Sequence, residues 1–334
     1  EDWQFSYSAH LLQLAVQDLG KAWQNFFNKA QKDWGKPKFK SKRAPKQGFK
    51  SDQARIVNGK LVLEKPQGLK ANWQPIKLSE KPFDYPTGTM SFYRVRDRYY
   101  VAIPYKIPKD RFEIKKKTGK ATGVDINVGH FNYEDGQLLI IPKSLTKIYS
   151  KIKHYQKQLA KKRTVNGRIK GAQSKKYLKT RIKLQASYQR AQNIQTDLMH
   201  KFTTELVNNY DQIAIEDLEV KGMLMSHVAS KGMHRSMFGL FRKLLTYKCE
   251  WYGKELIIAN KLYPSTQRCA ACGLVKKGDE KITLQGNKKH GTKHNEFVCY
   301  NPNCPNYNKK VDRDENAMAN LTLLVKHPEL NRAL

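Results

Sequence analysis

Acidic residues are scarce in this chain. Its 334 residues contain 29 Asp and Glu against 63 Lys and Arg, which gives a formal net charge of +34. Lysine and arginine that neutralise phosphates release condensed counterions, so a surplus of this size favours a polyanionic partner. The composition therefore predicts contact with nucleic acid, and the length allows two or three small cores.

The chain also lacks any long uncharged apolar run. A membrane span needs about 20 such residues, so we expect no membrane partner and a cytoplasmic, nucleoid-associated protein of prokaryotic type. The chain opens at Glu1, without Met, directly in a helical pattern of apolar residues. We therefore expect a natural amino-terminal segment to be missing.

Cysteine is rare, and four of the five cysteines form two close pairs: Cys269 with Cys272, and Cys299 with Cys304. Four thiolates suit a closed tetrahedral Zn²⁺ site, which is structural because no position is left for water. A disulfide framework is the alternative. A long chain without a signal peptide does not favour it, so we expect one structural Zn²⁺.

The spacing of the second cysteine pair departs from the usual zinc ribbon. Cys299 and Cys304 have four residues between them, where a ribbon more often has two. His290 and His294 in the preceding loop are spare ligand candidates, although solvated loop histidines are the simpler interpretation. Cys249 lies in an apolar helical pattern, which predicts a small core residue.

Three carboxylates stand at the ends of hydrophobic segments. Asp125 follows a short apolar run, Glu216 follows a predicted strand at 212–215, and Asp314 precedes a predicted helix at 318–325. Mg²⁺ prefers oxygen ligands, and two ions about 3.5–4 Å apart can stabilise both oxygens of an in-line displacement. A single acid at the end of a hydrophobic segment is more often a helix cap or a surface charge than a metal ligand. Together, in so basic a chain, they predict a metal site that acts on a phosphodiester.

Four segments carry a family resemblance: GVDINVG, IAIEDLEVKGM, YPSTQRCAACG and VDRDENAMANL, in this order. They resemble the RuvC-like nuclease of the TnpB proteins, which insertion sequences encode and which are related to type V CRISPR effector nucleases. The resemblance covers roughly residues 1–325. It places Asp125, Glu216 and Asp314 at the positions of the catalytic acids, which hold two Mg²⁺. Asp314 is preferred to Asp312 because the family acid stands two residues before an Asn, here Asn316.

The resemblance also implies the fold class, which is α/β plus β-barrel. An RNase H-like (RuvC) core with a helical insertion and a zinc finger is expected to follow a helical segment and a small wedge-type barrel. The expected boundaries are 1–40 for a helical recognition remnant, 41–118 for the wedge barrel, 119–261 for the nuclease with its helical insertion at 144–208, 262–311 for the zinc finger, and 312–334 for the final RuvC-like segment. Because Cys304 lies only ten residues before Asp314, the finger can set where this acid enters the site.

The basic residues are clustered. No acid occurs between Asp135 and Asp197, and apolar residues recur there at helical spacing, which predicts a helical hairpin with a basic outer face. A solvated charged surface is the alternative to nucleic-acid contact. The candidate contacts are Lys147, Lys151, Lys161, Lys162, Arg163, Lys175 and Lys176.

The region before the core contains a basic linker and two predicted hairpins. The linker spans 36–52, one hairpin spans 56–63 with an Asn-Gly turn, and the other spans 92–103 with its turn near Asp97. Aromatic residues in these strands can pack or stack on bases.

By resemblance, the expected function is RNA-guided, metal-dependent cleavage of DNA, in association with a transposable element. The expected partners are a guide RNA and target double-stranded DNA, with a monomer favoured. Three alternatives stay open: a nuclease-silent RNA-guided repressor of the same family, a basic structural RNA-binding zinc protein, and a DDE-type transposase.

Overall fold

The computed structural model describes most of the chain in two compact units, Glu1–Arg111 and Phe112–Leu334. The residues it describes are 7–28, 35–39, 46–64, 74–95, 98–111, 116–165, 168–169, 174–218, 237–283 and 285–331. Two predicted features lie outside them in part: the turn near Asp97 and the basic linker at 36–52, of which residues 46–51 form a strand.

In its described residues, the first unit contains one α-helix and six strands. Helix α1 (Ala9–Phe27) begins at an N-cap serine, Ser8, whose side chain accepts a hydrogen bond from the amide of His10. The strands are β1 (Lys46–Ser51), β2 (Arg55–Val57), β3 (Lys60–Val62), β4 (Ile76–Lys77), β5 (Met90–Val95) and β6 (Arg98–Ala102).

Both predicted hairpins of this unit are confirmed, but the predicted barrel is not observed. β2 pairs with β3 and β5 with β6, both antiparallel, and Asn58 and Gly59 at the first turn have φ of 50° and 71°. These left-handed values are the reason for Asn-Gly at this turn. Among the described residues the strands form two separate three-stranded sheets, β1-β5-β6 and β2-β3-β4, and several strands have only two or three residues. Strands this short and sheets with free edges do not close a barrel.

The second unit is built on a mixed five-stranded sheet with the order β13-β12-β7-β8-β9. β7, β12 and β13 are parallel to one another, and β8 and β9 continue from β7 as antiparallel hairpins. The strands of this sheet are β7 (Ala121–Ile126), β8 (His130–Tyr133), β9 (Gly136–Leu139), β12 (Gln212–Glu216) and β13 (Glu255–Ala259). Two further strands, β10 (Thr164–Val165) and β11 (Arg168–Ile169), pair only with each other.

Among the described residues, four α-helices accompany this sheet: α2 (Lys143–Arg163), α3 (Lys175–Asn209), α4 (Phe238–Tyr252) and α5 (Arg313–Lys326). The predicted helical hairpin is confirmed as α2 and α3, inserted between β9 and β12. Its buried seam consists of Leu145, Ile148, Ile152 and Ala191. In the described part of the chain, we find no helix with the length and hydropathy of a membrane span.

The two faces of the sheet bury different helices. On one face Phe131 packs against Phe202 of α3 and Phe241 of α4, with ring centroids 6.0 and 4.9 Å away. Ala214 of β12 points to the other face, where it is buried with Leu321 and other residues of α5. Side chains alternate along a strand, so the neighbours of Ala214 belong to the first face.

Gly123 allows α5 to lie directly on β7. A Cβ at this position would lie 2.5 Å from both the Leu321 Cβ and the Met318 carbonyl oxygen. The Gly123 amide instead donates to Thr322 Oγ1 at 2.7 Å. The helix that carries Asp314 is therefore fixed against the strand that carries Asp125.

The region predicted as a finger lies between β13 and α5. Strands β14 (Glu296–Val298) and β15 (Lys310–Asp312) pair antiparallel, and a small core contains Ile282 and Phe297 beside the cysteines. β15 ends where α5 begins, so the finger leads directly into the helix of the third acid.

Candidate active site and metal centre

Asp125 and Glu216 lie side by side at one edge of the sheet. β7 and β12 are parallel, and Val124 pairs with Ile215, so the two acids occupy the next positions of neighbouring strands. Val124 and Ile215 belong to the core of the first face. Because side chains alternate, Asp125 and Glu216 point to the face that α5 covers.

Asp314 joins them from the first turn of α5, and Asp312 does not. The Asp312 side chain is the N-cap of the helix, where its Oδ1 accepts from the amides of Asp314 and Glu315 at 2.9 and 3.1 Å. Asp312 is exposed, whereas the Asp314 side chain is only 15% exposed. The structure thus brings Asp125, Glu216 and Asp314 together and gives Asp312 a separate structural task.

Burial and mutual repulsion raise the pKa values of two of these acids. Burial, followed by the nearby charges of Glu216 and Asp314, raises the pKa of Asp125 to about 8 from its ordinary value of 3.8. Burial also raises the pKa of Glu216, although a hydrogen bond from Ser265 and the charge of Arg313 act in the opposite direction. Carboxylates that repel one another in this way are stabilised when a cation binds among them.

The oxygen donors of the cluster fit a hard divalent cation. Carboxylates are the ligands that Mg²⁺ accepts in proteins. Among the described residues, the four paired cysteines, and not the three acids, form the group of His, Cys, Asp or Glu ligand atoms that is close enough to hold one metal ion.

We expect the raised pKa of Asp125 to make folding stability fall as pH rises. The folded chain without magnesium holds a proton on Asp125 that the unfolded chain releases above its ordinary pKa. Between about pH 4 and pH 8 the free energy of unfolding should therefore decrease, by an amount on the order of a few kcal/mol. Denaturant titrations without added magnesium would measure this, and millimolar Mg²⁺ should restore stability at the alkaline end.

Asp125→Asn should remove most of this pH dependence. Asp197→Asn is the matched control, because Asp197 is an exposed acid on α3 whose ion pair with Lys201 lies at the surface. Its profile should follow that of the parent. An unchanged slope in Asp125→Asn would show that the proton is held elsewhere.

The four paired cysteines form one cluster. Cys269 Sγ lies 3.7 Å from Cys304 Sγ, and Cys272 Sγ lies 3.6 Å from Cys299 Sγ, with all four sulfurs within 4.8 Å of one another. Four sulfurs 2.3 Å from a tetrahedral Zn²⁺ would be about 3.8 Å apart. A disulfide needs about 2.05 Å, so the thiols fit a metal and are not bonded in pairs.

The two histidines considered as further zinc ligands, His290 and His294, are not part of this cluster. His290 stacks on Tyr300 with ring centroids 3.8 Å apart, and its Nε2 lies 3.2 Å from Glu280 Oε1. His294 is exposed. Cys249 is a buried core residue of α4, as predicted. The four residues between Cys299 and Cys304 therefore do not prevent a site made of four cysteines.

Side-chain hydrogen bonds connect the cysteine cluster to the acids. In α5, Asn316 accepts from the Ala270 amide at 3.0 Å and donates to the Arg268 carbonyl at 2.7 Å. Asn320 donates to the Ser265 carbonyl at 2.9 Å, and the Ser265 hydroxyl donates to Glu216. The segment that enters the cluster therefore touches both α5 and the second acid.

The sequence interpretation missed several polar neighbours of the acids. Asn127 Nδ2 donates to Asp125 Oδ2 at 2.6 Å, while His130 and Arg313 contact Asp314. Asn127 stands two residues after an acid in the family motif, which was a usable signal. The partner of His130 is 184 residues away, and no local pattern indicates it.

The predicted basic contacts lie on the helical hairpin and not at the sheet edge. All seven are exposed on α2 and α3: Lys147, Lys151, Lys161, Lys162, Arg163, Lys175 and Lys176. Lys162 has a structural contact, since its Nζ donates to Thr180 Oγ1 at 2.7 Å across the hairpin.

Comparison with known families gives two matches. Residues 102–227 match the OrfB_IS605 family, described as "Probable transposase", and residues 238–321 match the family "Cas12f1-like, TNB domain". The two ranges contain all three acids and the four paired cysteines.

Curated relatives match over most of the chain. A "Putative RNA-guided DNA endonuclease" of Streptomyces pristinaespiralis is 27% identical over 79% of this chain and 63% of the relative. "Putative RNA-guided DNA endonuclease InsQ" of Escherichia coli K12 is 28% identical over 78% of this chain and 65% of the relative. "TnpB-like protein L79" of Acanthamoeba polyphaga mimivirus is 26% identical over 70% of this chain and 42% of the relative. The chain thus spans less than two thirds of the length of these relatives.

A solved structure is also similar. It is the cryo-EM structure of a Cas12f1-sgRNA-target DNA complex, in which the matching chain is 15% identical. The match has a TM-score of 0.46 and covers 83% of this chain and 59% of the other.

Proposed function

We propose, because this chain belongs to the TnpB family, that it is an RNA-guided, metal-dependent DNA endonuclease of a transposable element. The observation that carries the proposal is the meeting of Asp125, Glu216 and Asp314 at one sheet edge, although their sequence positions are far apart. Burying three acids together is costly unless a cation compensates them. The mixed sheet beneath them supports an RNase H-like core.

In this proposal the three acids hold two Mg²⁺. The ions, when bound, supply an activated water and stabilise the leaving 3′ oxygen. Asn127 keeps the Asp125 carboxylate oriented through its 2.6 Å hydrogen bond, and Ser265 does the same for Glu216. Asp125 gives up the proton that burial and repulsion hold on it, so site loading should improve as pH rises.

The four cysteines hold one structural Zn²⁺ in this proposal. Metal binding of this kind is coupled to local folding. Because Asn316 and Asn320 bond to the backbone between Ser265 and Ala270, an ordered finger keeps the amino end of α5 in place. The finger thus helps to position Asp314.

Specificity comes from base pairing with the guide RNA, while the protein grips backbones and reads a short flanking motif in double-stranded target DNA. The chain acts as a monomer, and its first unit has the wedge and recognition role. The repressor, the structural RNA-binding protein and the transposase do not predict guided hydrolysis that requires all three acids.

Neutralising the basic hairpin should weaken binding of nucleic acid regardless of sequence. The variant combines Lys151→Gln, Lys161→Gln, Lys175→Gln and Lys176→Gln, and it spares Lys162 because of its contact with Thr180. Each lost phosphate contact should make the plot of log affinity against log salt shallower by about one unit. Filter binding of guide RNA and of a heteroduplex at several salt concentrations measures this slope.

A control variant with the same loss of charge keeps the comparison specific. Lys277, Lys281, Lys288 and Lys309 are exposed lysines in the finger region and can be changed together. The control should retain most of the slope. Equal slopes for the hairpin variant and the parent would mean that the hairpin is only a solvated surface.

The proposal is tested by purifying the chain from its host and sequencing the RNA that accompanies it. The complex should contain one RNA species transcribed from its own element, and with Mg²⁺ it should cut DNA that matches the guide segment. A chain free of RNA, or cleavage that ignores the match, would contradict the proposal.

A further inference from the structure

We infer that His130 and Arg313 are positioning residues that hold the Asp314 carboxylate from its two sides and prepare it for a divalent cation. This inference rests on the proposed metal site. Arg313 donates to Asp314 Oδ1 through Nη2 at 2.9 Å and Nε at 3.2 Å. His130 Nε2 lies 3.3 Å from Oδ2 of the same carboxylate.

All three side chains are largely shielded from solvent. Their exposed fractions are 15% for Asp314, 19% for Arg313 and 28% for His130. Surface ion pairs contribute little because solvent screens them and their side chains are mobile. A shielded carboxylate with a partner on each oxygen has far less freedom to rotate, so its orientation is set before an ion arrives.

The carboxylate is not saturated by these partners. Its two oxygens offer about four lone-pair sites. The Arg313 fork occupies Oδ1, and His130 uses one site of Oδ2, so acceptor capacity is left for an ion. Residues that hold a metal-binding carboxylate in this way commonly change metal affinity by 10–100-fold when they are removed.

His130 is the first residue of β8 and reaches Asp314 from the end of the short turn that follows β7. The Asn127 amide donates to the His130 carbonyl at 3.0 Å and closes this turn, in which Gly129 has a φ of 109°. The Asn127 side chain bonds to Asp125. One turn therefore supports two of the three acids, and it links β7 to the amino end of α5.

Arg313 also acts on the cluster by its charge, which opposes the rise in the pKa of both Asp125 and Glu216. The alternative account is that Arg313 only balances the negative charge of the acids. That role would require its positive charge, but neither the fork geometry of its hydrogen bonds nor the contact of His130. The two accounts differ for His130→Leu, which leaves Arg313 in place, and for Arg313→Lys, which keeps the charge and loses the fork.

The test is Mn²⁺ binding by the full chain with its zinc retained, measured by calorimetry without nucleic acid. His130→Leu should weaken the tightest Mn²⁺ site by at least about tenfold, and His130→Gln, which keeps a donor, should recover most of the loss. Arg313→Lys should also bind more weakly than the parent. His154→Leu is the control, because His154 is exposed on α2 and bonds to Gln158.

The inference is overturned if His130→Leu binds Mn²⁺ within twofold of the parent. It is also overturned if His130→Gln is as weak as His130→Leu, because shape and not the hydrogen bond would then be responsible. Zinc content equal to the parent's shows that each variant is folded. Since no guide or DNA is present, the outcome is independent of whether guided cleavage occurs.

Discussion

Asp314→Ala is expected to abolish DNA cleavage, with a loss of at least about a thousandfold, while binding of guide RNA is retained. Asp314 is a shielded member of the acid cluster and would hold an ion at the scissile phosphate. Asp125→Ala and Glu216→Ala should have the same effect. A gel assay of cleavage and a filter assay of RNA binding separate the two properties.

Asp312→Ala is the matched control for Asp314→Ala. Asp312 caps α5, so its loss should lower the free energy of unfolding by about 1 kcal/mol and reduce cleavage only slightly. If Asp312→Ala abolished cleavage and Asp314→Ala did not, the third metal ligand would be misassigned.

Cys272→Ser or Cys299→Ser is expected to remove most of the zinc and to lower stability. Purified parent chain should contain about one Zn²⁺, because its four sulfurs have the separations of a tetrahedral site. Losing the ion should disorder the finger, release the Asn316 contacts and reduce cleavage as well. Zinc is measured by elemental analysis, and stability by thermal unfolding.

Cys249→Ala supplies the comparison. Cys249 is buried, as Cys299 is, but it lies in α4, away from the cluster, so the zinc content of Cys249→Ala should match that of the parent. Freshly purified parent chain without zinc would contradict the finger.

Features with local patterns were predictable from the sequence. The Asn-Gly hairpin at 56–63 and the helical hairpin both follow from periodicity and turn chemistry. The cysteine cluster follows from two close pairs, even though the second pair has an unusual spacing.

The three acids of the cluster were predictable from the sequence, but the polar residues that contact them were not. Asp125 and Glu216 stand where strands end, and parallel strands bring such ends to one edge. The choice of Asp314 over Asp312 needed the family motif, and the cap hydrogen bonds now give it a physical reason. The contact of His130 with Asp314 could not be predicted from the sequence, because it depends on the packing of distant segments.

For the barrel expected before the core, the local strands were predictable but their arrangement was not. Alternating residues correctly predict strands and hairpins. They carry no information on whether two short sheets join, because closure depends on tilt and stagger across strands that are distant in sequence.

Replacing the guide segment of the RNA tests the central claim most directly. The purified chain, loaded with RNA carrying a new guide segment, is incubated with Mg²⁺ and a plasmid holding both the old and the new target, and the cut ends are sequenced. The account predicts that cleavage moves to the new target and disappears when Asp314→Ala protein is used. Cleavage that stays at the old target, or that is the same with Asp314→Ala protein, would contradict it.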